Sequence, residues 1–132
     1  MAAFTAYSVP VLPGAVTASF YAADNCNAYA GCLVRLSAGQ VVIASGGASK
    51  VFGVLAECGA SSTSMVTVVL QGPAYFKANT TCSSMQYIAA TSNGQGIPTT
   101  TTGHYMVGHC IANVSAGTYG KLVVQPIEHF KN

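Results

Sequence analysis

The residues that could perform acid–base chemistry are few and widely spaced in this chain of 132 residues. The only carboxylates are Asp24, Glu57 and Glu128, and none of them belongs to a recognisable motif. A mechanism that uses paired carboxylates would need two of these groups to meet in space. Nothing in their spacing predicts such a meeting, so the sequence does not favour a hydrolase of that kind.

A thiol nucleophile activated by a histidine is the one enzymatic alternative that the residue types leave open. His104 and His109 lie five positions apart, close to Cys110. Adjacent residues on a strand point to opposite faces, so His109 cannot activate Cys110 through the same strand. A pair across strands, such as Cys58 with His109, stays open. The favoured interpretation is structural: a buried cysteine packs as a small hydrophobic residue. A small thiol hydrolase that uses a cysteine with His104 or His109 is the less favoured alternative.

The cysteines indicate reduced, structural thiols and no metal site. They are Cys26, Cys32, Cys58, Cys82 and Cys110. An odd number cannot pair completely within one chain, and the amino terminus lacks the pattern of a signal peptide, which predicts folding in a cytoplasm. The spacings contain no CxxC pair of the kind that binds zinc. We therefore expect no metal and no cofactor, and we expect Cys32 and Cys110 to be buried.

Charge and apolar content restrict the class of partner. Charged residues make up 6% of the chain, against about 25% in an average soluble protein. The five Lys and Arg residues are scattered singly, so no basic stripe predicts nucleic-acid binding. No run approaches the roughly 20 apolar residues of a membrane-spanning helix. Because 51% of the residues are hydrophobic, we expect the folded chain to share apolar surface with other protein chains.

The elements that must position these residues are short strands. Apolar, β-rich runs alternate with turns rich in Gly, Ser and Pro, which predicts an all-β fold, a small β-sandwich or barrel. Only the alanines of Gly14–Tyr29 leave a short helix open. The predicted strands are Val16–Ala22, Cys32–Leu36, Gln40–Ala44, Val51–Glu57, Met65–Leu70, Ala74–Lys77, Gln86–Ala89, Met106–Ala112 and Lys121–Pro126.

Residues 1–15 are predicted to form an extended N-terminal arm, and residues 16–132 a single β domain. Pro10 and Pro13 forbid a helix and disfavour a central strand. The arm is too apolar for a solvated tail, so we expect it to bind a partner surface by adding to a sheet edge. The alternative is that it folds back as an edge strand on its own domain. The candidate partner-binding residues are Phe4, Tyr7, Val9, Val11 and Leu12.

A weak internal repeat supports the interpretation as strands. The segment 51–56 resembles 106–112, with Gly53 and Gly108 at the same place 55 residues apart. Each segment precedes a Ser/Gly/Thr loop and a β-branched strand. Two copies are too few for a solenoid, but they suggest two similar β-units in one domain, with chance as an equal rival explanation.

An ordered series of hydrophobic and glycine positions covers residues 30–126, about three-quarters of the chain. It consists of Cys32-Leu33-Val34-Arg35-Leu36, Ala38-Gly39-Gln40-Val41-Val42, Val51-Phe52-Gly53-Val54-Leu55-Ala56, Val66 to Ala74, Val107-Gly108-His109-Cys110-Ile111-Ala112 and Leu122-Val123-Val124. This series resembles the head decoration, or capsid cement, proteins of tailed bacteriophages.

The resemblance implies an all-β virion protein of β-tulip or jelly-roll type. It implies a homotrimer on the capsid exterior, made in the host cytoplasm, that binds the major capsid protein and stabilises the shell without catalysis, nucleic acid or membrane. The five cysteines and the low charge depart from what the family leads us to expect. The alternatives are another virion β-domain, such as a minor coat or tail or fibre component, and a bacterial β-module that binds small ligands.

Overall fold

The regular structure of the described residues is entirely β-strand, which confirms the predicted fold class. The computed structural model describes residues 8–22, 29–58, 65–100 and 103–127, with side chains as far as residue 125. Every strand pairing in these ranges is antiparallel. The strands are β1 Val16–Tyr21, β2 Leu33–Ser37, β3 Gln40–Ile43, β4 Val51–Glu57, β5 Met65–Lys77, β6 Tyr87–Ala90, β7 Gly96–Pro98, β8 Met106–Cys110 and β9 Tyr119–Ile127.

The short helix that the sequence left open within Gly14–Tyr29 is wrong for residues 16–21, which form β1. The reason is the alternation of side chains with a period of two. Phe20 and Ala22 face the interior, while Ser19 and Tyr21 are exposed. A helix would have placed these residues around its whole circumference.

β5 is a single strand of 13 residues where the sequence predicted two strands and a turn at 71–73. Its first half pairs with β1 and β4, and its second half pairs with β9. The change of neighbours falls at Gly72, whose φ of +92° is one that L side chains rarely adopt. The glycine thus lets the strand pass from one half of the sheet to the other instead of ending.

The first half of the sheet curls into a small five-stranded barrel, here called barrel 1. The ladder runs from β1 through the first half of β5 to β4, β2 and β3. A parallel bridge between Ala22 and Val41 then joins the end of β1 to β3 and closes the circuit. The interior residues are apolar and almost fully buried: Ala22, Val34, Val41, Leu55, Val66 and Val68. Phe20 and Phe52 pack edge to face beside them, with ring centroids 5.5 Å apart.

The second half of the sheet forms barrel 2 by the same scheme. The ladder runs from the second half of β5 through β9 and β8 to β6 and β7. A parallel bridge between Ala78 and Gly96 closes it. Phe76, Ile88 and Leu122 are completely buried in its interior. In chain order, β5 therefore supplies the last strand of barrel 1 and the first strand of barrel 2.

Backbone hydrogen bonds confirm the internal repeat that the sequence suggested. The bonds of barrel 1 recur in barrel 2 between residues 54 or 55 positions further along the chain. The equivalent pairs are Leu55 N–H to Cys32 O and Cys110 N–H to Gln86 O, Gly31 N–H to Leu55 O and Met85 N–H to Cys110 O, and Ala44 N–H to Leu33 O and Thr99 N–H to Tyr87 O. The two β-units of the sequence are thus the two barrels.

Candidate interaction surfaces

The arm is attached to the domain at one point. Val9 is only 4% exposed, and its N–H donates to Ala56 O at 2.8 Å. Ser8 forms an antiparallel bridge with Glu57 at the end of β4. Val9 is therefore part of the chain's own core, as the edge-strand alternative requires, and is covered where a partner-binding residue would have to be accessible.

The other arm residues differ from Val9. Val11 is 50% exposed and Leu12 is half-buried, in a turn where Ala15 N–H donates to Leu12 O at 3.2 Å. Phe4 and Tyr7 lie outside the described residues. Val11 and Leu12 are therefore the predicted partner-binding residues that the structure leaves accessible, and the binding role of the arm stays a prediction.

Two further groups of exposed apolar residues were not predicted. Tyr21 on β1 and Met65 on β5 are direct cross-strand neighbours, 60% and 48% exposed. Met85 is 69% exposed, and Tyr87 and Ile111 are exposed close to it on barrel 2. The alternation of β1 could have indicated Tyr21, because it is apolar on the outward side of the strand. No local signal could have indicated Met85, which lies in a turn.

A groove of about 410 Å³ lies beside Met85. It is lined by Met85, Gln86, Tyr87, Pro98, Thr99 and Thr100. Thr99, which lines the groove, is hydrogen bonded to His104, with Thr99 Oγ1 2.8 Å from His104 Nδ1. On its other side the His109 ring packs edge to face on Tyr87, with centroids 6.2 Å apart. The two histidines of the thiol hydrolase alternative are thus engaged with a threonine and a tyrosine.

The buried thiols are poorly suited to nucleophilic catalysis. Burial raises the pKa of Cys82 to about 11, and the neighbouring Cys110 contributes in the same direction. Burial also raises the pKa of Cys110, whose Sγ donates to Ala112 O at 2.9 Å. A reactive cysteine needs a lowered pKa, because the thiolate is the nucleophile. Cys32 and Cys110 are buried as predicted, and none of the four cysteines in the described ranges forms a disulfide.

Two further kinds of site find no support within the described ranges. No group of three His, Cys, Asp or Glu side chains there could hold a metal ion. The same residues include no helix that is long and apolar enough to cross a membrane.

No family model matches the sequence, and no curated protein matches it. A solved structure does resemble the fold: the N base of the head fibre gp8.5 of bacteriophage phi29. The TM-score is 0.65 and the sequences are 17% identical. The likeness covers 87% of this chain and 99% of the fibre-base chain. At this identity the comparison shows a shared all-β fold.

Proposed function

We propose that the chain is a virion structural protein of a tailed bacteriophage that decorates the exterior of the capsid as a homotrimer. The observation that carries the proposal is the fold shared with a phage head-fibre base across almost the whole of both chains. The resemblance of residues 30–126 to capsid cement proteins supports the decoration role. The protein would be made in the host cytoplasm and would bind the major capsid protein of the assembled shell.

The arm supplies the proposed capsid contact. Val9 fixes the arm to β4, so the residues that follow it are held at a defined place on the domain. Val11 and Leu12 follow this anchor and present apolar side chains that can add to a partner surface. Phe4 and Tyr7 precede it and extend the same apolar sequence.

A role without catalysis agrees with the chemistry of the described side chains. The Cys82 and Cys110 thiols have raised pKa values, and the His104 and His109 rings contact Thr99 and Tyr87. A decoration protein needs surface complementarity rather than a nucleophile or a cofactor.

A binding experiment with capsid shells that lack the protein tests the proposal. The purified chain is added to such shells, and bound protein is measured by sedimentation and by electron microscopy. We expect saturable binding at a fixed site of the shell lattice and a higher temperature of shell disruption. Shells that bind no protein under these conditions would contradict the proposal.

A head-fibre base is the second candidate function, because the solved structure that shares the fold is one. The same experiment separates the two functions by copy number and stability. A decoration protein occupies many equivalent sites and stabilises the shell. Saturable binding that leaves the disruption temperature unchanged would favour the fibre base.

A further inference from the structure

Barrel 2 packs against barrel 1 through a hairpin turn. The turn before β7 carries Gly94, which is buried, and Leu33 N–H donates to Gly94 O at 2.7 Å. A Cβ added to Gly94 would lie 2.5 Å from Ile43 Cγ2 and 3.2 Å from Cys32 Cβ. The turn thus fills a depression in the surface of barrel 1 that has room for glycine alone.

A pair of side chains extends this contact. Lys77 and Tyr119 are cross-strand neighbours of barrel 2, with Lys77 Nζ 4.9 Å from the Tyr119 ring centroid. Lys77 N–H donates to Gly31 O at 2.8 Å, and a Cβ on Gly31 would lie 2.9 Å from Tyr119 Cε1. Gly31 of barrel 1 therefore receives the Lys77–Tyr119 pair directly.

The surface of barrel 2 equivalent to this depression is open. Gly31, Cys32, Leu33, Ile43 and Ala44 line the receiving surface of barrel 1. Their equivalents through the repeated hydrogen bonds and strand registers are Met85, Gln86, Tyr87, Pro98 and Thr99. These five residues line the groove of about 410 Å³. Leu33 is completely buried, whereas its equivalent Tyr87 is 37% exposed.

The parts of barrel 1 equivalent to the inserting parts of barrel 2 are also open. The equivalent of Gly94 is Gly39, and φ is +80° at Gly39 and +81° at Gly94. No atom lies within 4 Å of a Cβ added to Gly39. The equivalents of Lys77 and Tyr119 are Tyr21 and Met65, paired in the same register. All three are exposed. Within the chain, barrel 2 inserts its Gly94 turn into barrel 1. If barrel 1 of a second molecule packed on barrel 2 in the same way, its Gly39 turn would enter the groove.

We propose that the groove of one copy receives barrel 1 of a second copy, with Gly39 seated between Gln86 and Pro98 and the Tyr21–Met65 pair packed on Met85. The contact is head-to-tail, because a groove meets a turn rather than a second groove. Such contacts form rings when the rotation closes. Flexible Met85 stands where barrel 1 has Gly31, and its side chain can adapt to the incoming residues. The contact needs no capsid, so it stands or falls separately from the capsid role.

Two variants, each with one damaged surface, test the proposal. In Gly39→Asn the new residue tolerates the left-handed backbone of the turn. It adds a side chain at the tip of the inserting turn, where the equivalent Gly94 has no room for a Cβ. Met85→Glu places a charge in the apolar part of the groove. We expect wild-type protein to give the mass of a closed oligomer in light scattering, and each variant alone to associate about tenfold more weakly or worse. An equal mixture of the two should form a 1:1 heterodimer, because one intact turn surface and one intact groove remain.

Gly117→Asn is the matched control, since Gly117 has φ of +79°, is exposed, and has no atom within 4 Å of an added Cβ. It should associate like the wild type. Thermal unfolding of all variants verifies that each remains folded. Wild-type protein that stays monomeric at all concentrations, a Met85→Glu variant that associates normally, or a variant mixture that gives no heterodimer would each overturn the proposal.

Discussion

Gly53 and Gly108 occupy equivalent places in the two barrels, each against a carbonyl of the neighbouring strand. A Cβ on Gly53 would overlap Val69 O, and one on Gly108 would overlap Val123 O more severely. Both obstacles are backbone atoms within a ladder, so neither can move aside as a flexible side chain could. The sequence pattern that related the two segments therefore had a steric cause, which explains why glycine is kept while the flanking residues differ.

Replacing Gly108 by alanine should consequently destabilise the fold. We expect Gly108→Ala to lower the free energy of unfolding by about 3 kcal/mol, the upper range for overpacking. Gly117→Ala is the control, because it meets open space and should cost only about 1 kcal/mol for its left-handed backbone. Urea titration measures both values. Equal losses in the two variants would contradict the steric explanation.

The Cys82 thiol should make stability depend on alkaline pH. Its pKa lies near 11 in the folded chain and at the ordinary thiol value of 9.0 when burial is lost. Between these pH values the unfolded state has released a proton that the folded state retains, so the free energy of unfolding falls as pH rises. The contribution of the thiol is complete below pH 9 and is lost as pH approaches 11.

Other groups also titrate in this range, so the measurement is a difference between two proteins. Cys82→Ala removes this thiol together with its interaction with Cys110 and leaves the more distant groups unchanged. We expect the stability of the wild type relative to Cys82→Ala to decrease between pH 9 and 11 in urea titrations. A relative stability that stays constant across this window would show that the thiol ionises equally in both states.

At the scale of elements, most strands were predictable and their neighbours were not. β4 has the predicted bounds, because its valines, Phe52 and Leu55 form a β-rich run that contains a single glycine, Gly53. β7 was missed, because Gly96-Ile97-Pro98 carries two residues that usually mark turns. The continuity of β5 through Gly72 was missed for the same reason. Local propensity identifies runs, whereas the partner of a strand depends on residues far away in the sequence.

The arm provides a matched pair of residues for separating folding from binding. Val9 is buried in the core and Val11 is half exposed on the same element. Val9→Ala should lower the free energy of unfolding by about 2 kcal/mol, as expected for a cavity in an apolar core. Val11→Ala should change stability by less than about 0.5 kcal/mol and weaken binding to capsid shells.

Urea titration and shell sedimentation, performed on both variants below their unfolding temperatures, give the two readouts. Folded Val9→Ala should bind shells like the wild type, since its side chain faces the domain. If Val11→Ala binds shells with unchanged affinity, the exposed arm is not the capsid contact. The predicted arm would then serve as an edge element alone.

At the scale of the whole molecule, the sequence could suggest duplication but not the groove. Gly53 and Gly108 made the repeat detectable, because the same steric need acts at both. Gly31 and Met85 share a place in the fold without sharing chemistry, since one is covered within the chain and the other is exposed. At this pair of positions the difference in residue type accompanies a difference in surroundings, so the sequence repeat alone could not indicate the exposed groove.

The shared strand β5 should make the two barrels unfold together. Its first half completes barrel 1 and its second half begins barrel 2, and outward residues of barrel 1 belong to the same buried cluster as the interior of barrel 2. Loss of either barrel would expose this cluster and remove a ladder from the other.

Leu55→Ala in barrel 1 and Leu122→Ala in barrel 2 should therefore each shift one common unfolding transition to lower temperature. Each should lower the free energy of unfolding by about 2–5 kcal/mol. Calorimetry at one protein concentration, with agreement between the calorimetric and van't Hoff enthalpies, measures this cooperativity. Two separate transitions in either variant would show that each barrel is stable alone, and that β5 connects the barrels without coupling their stability.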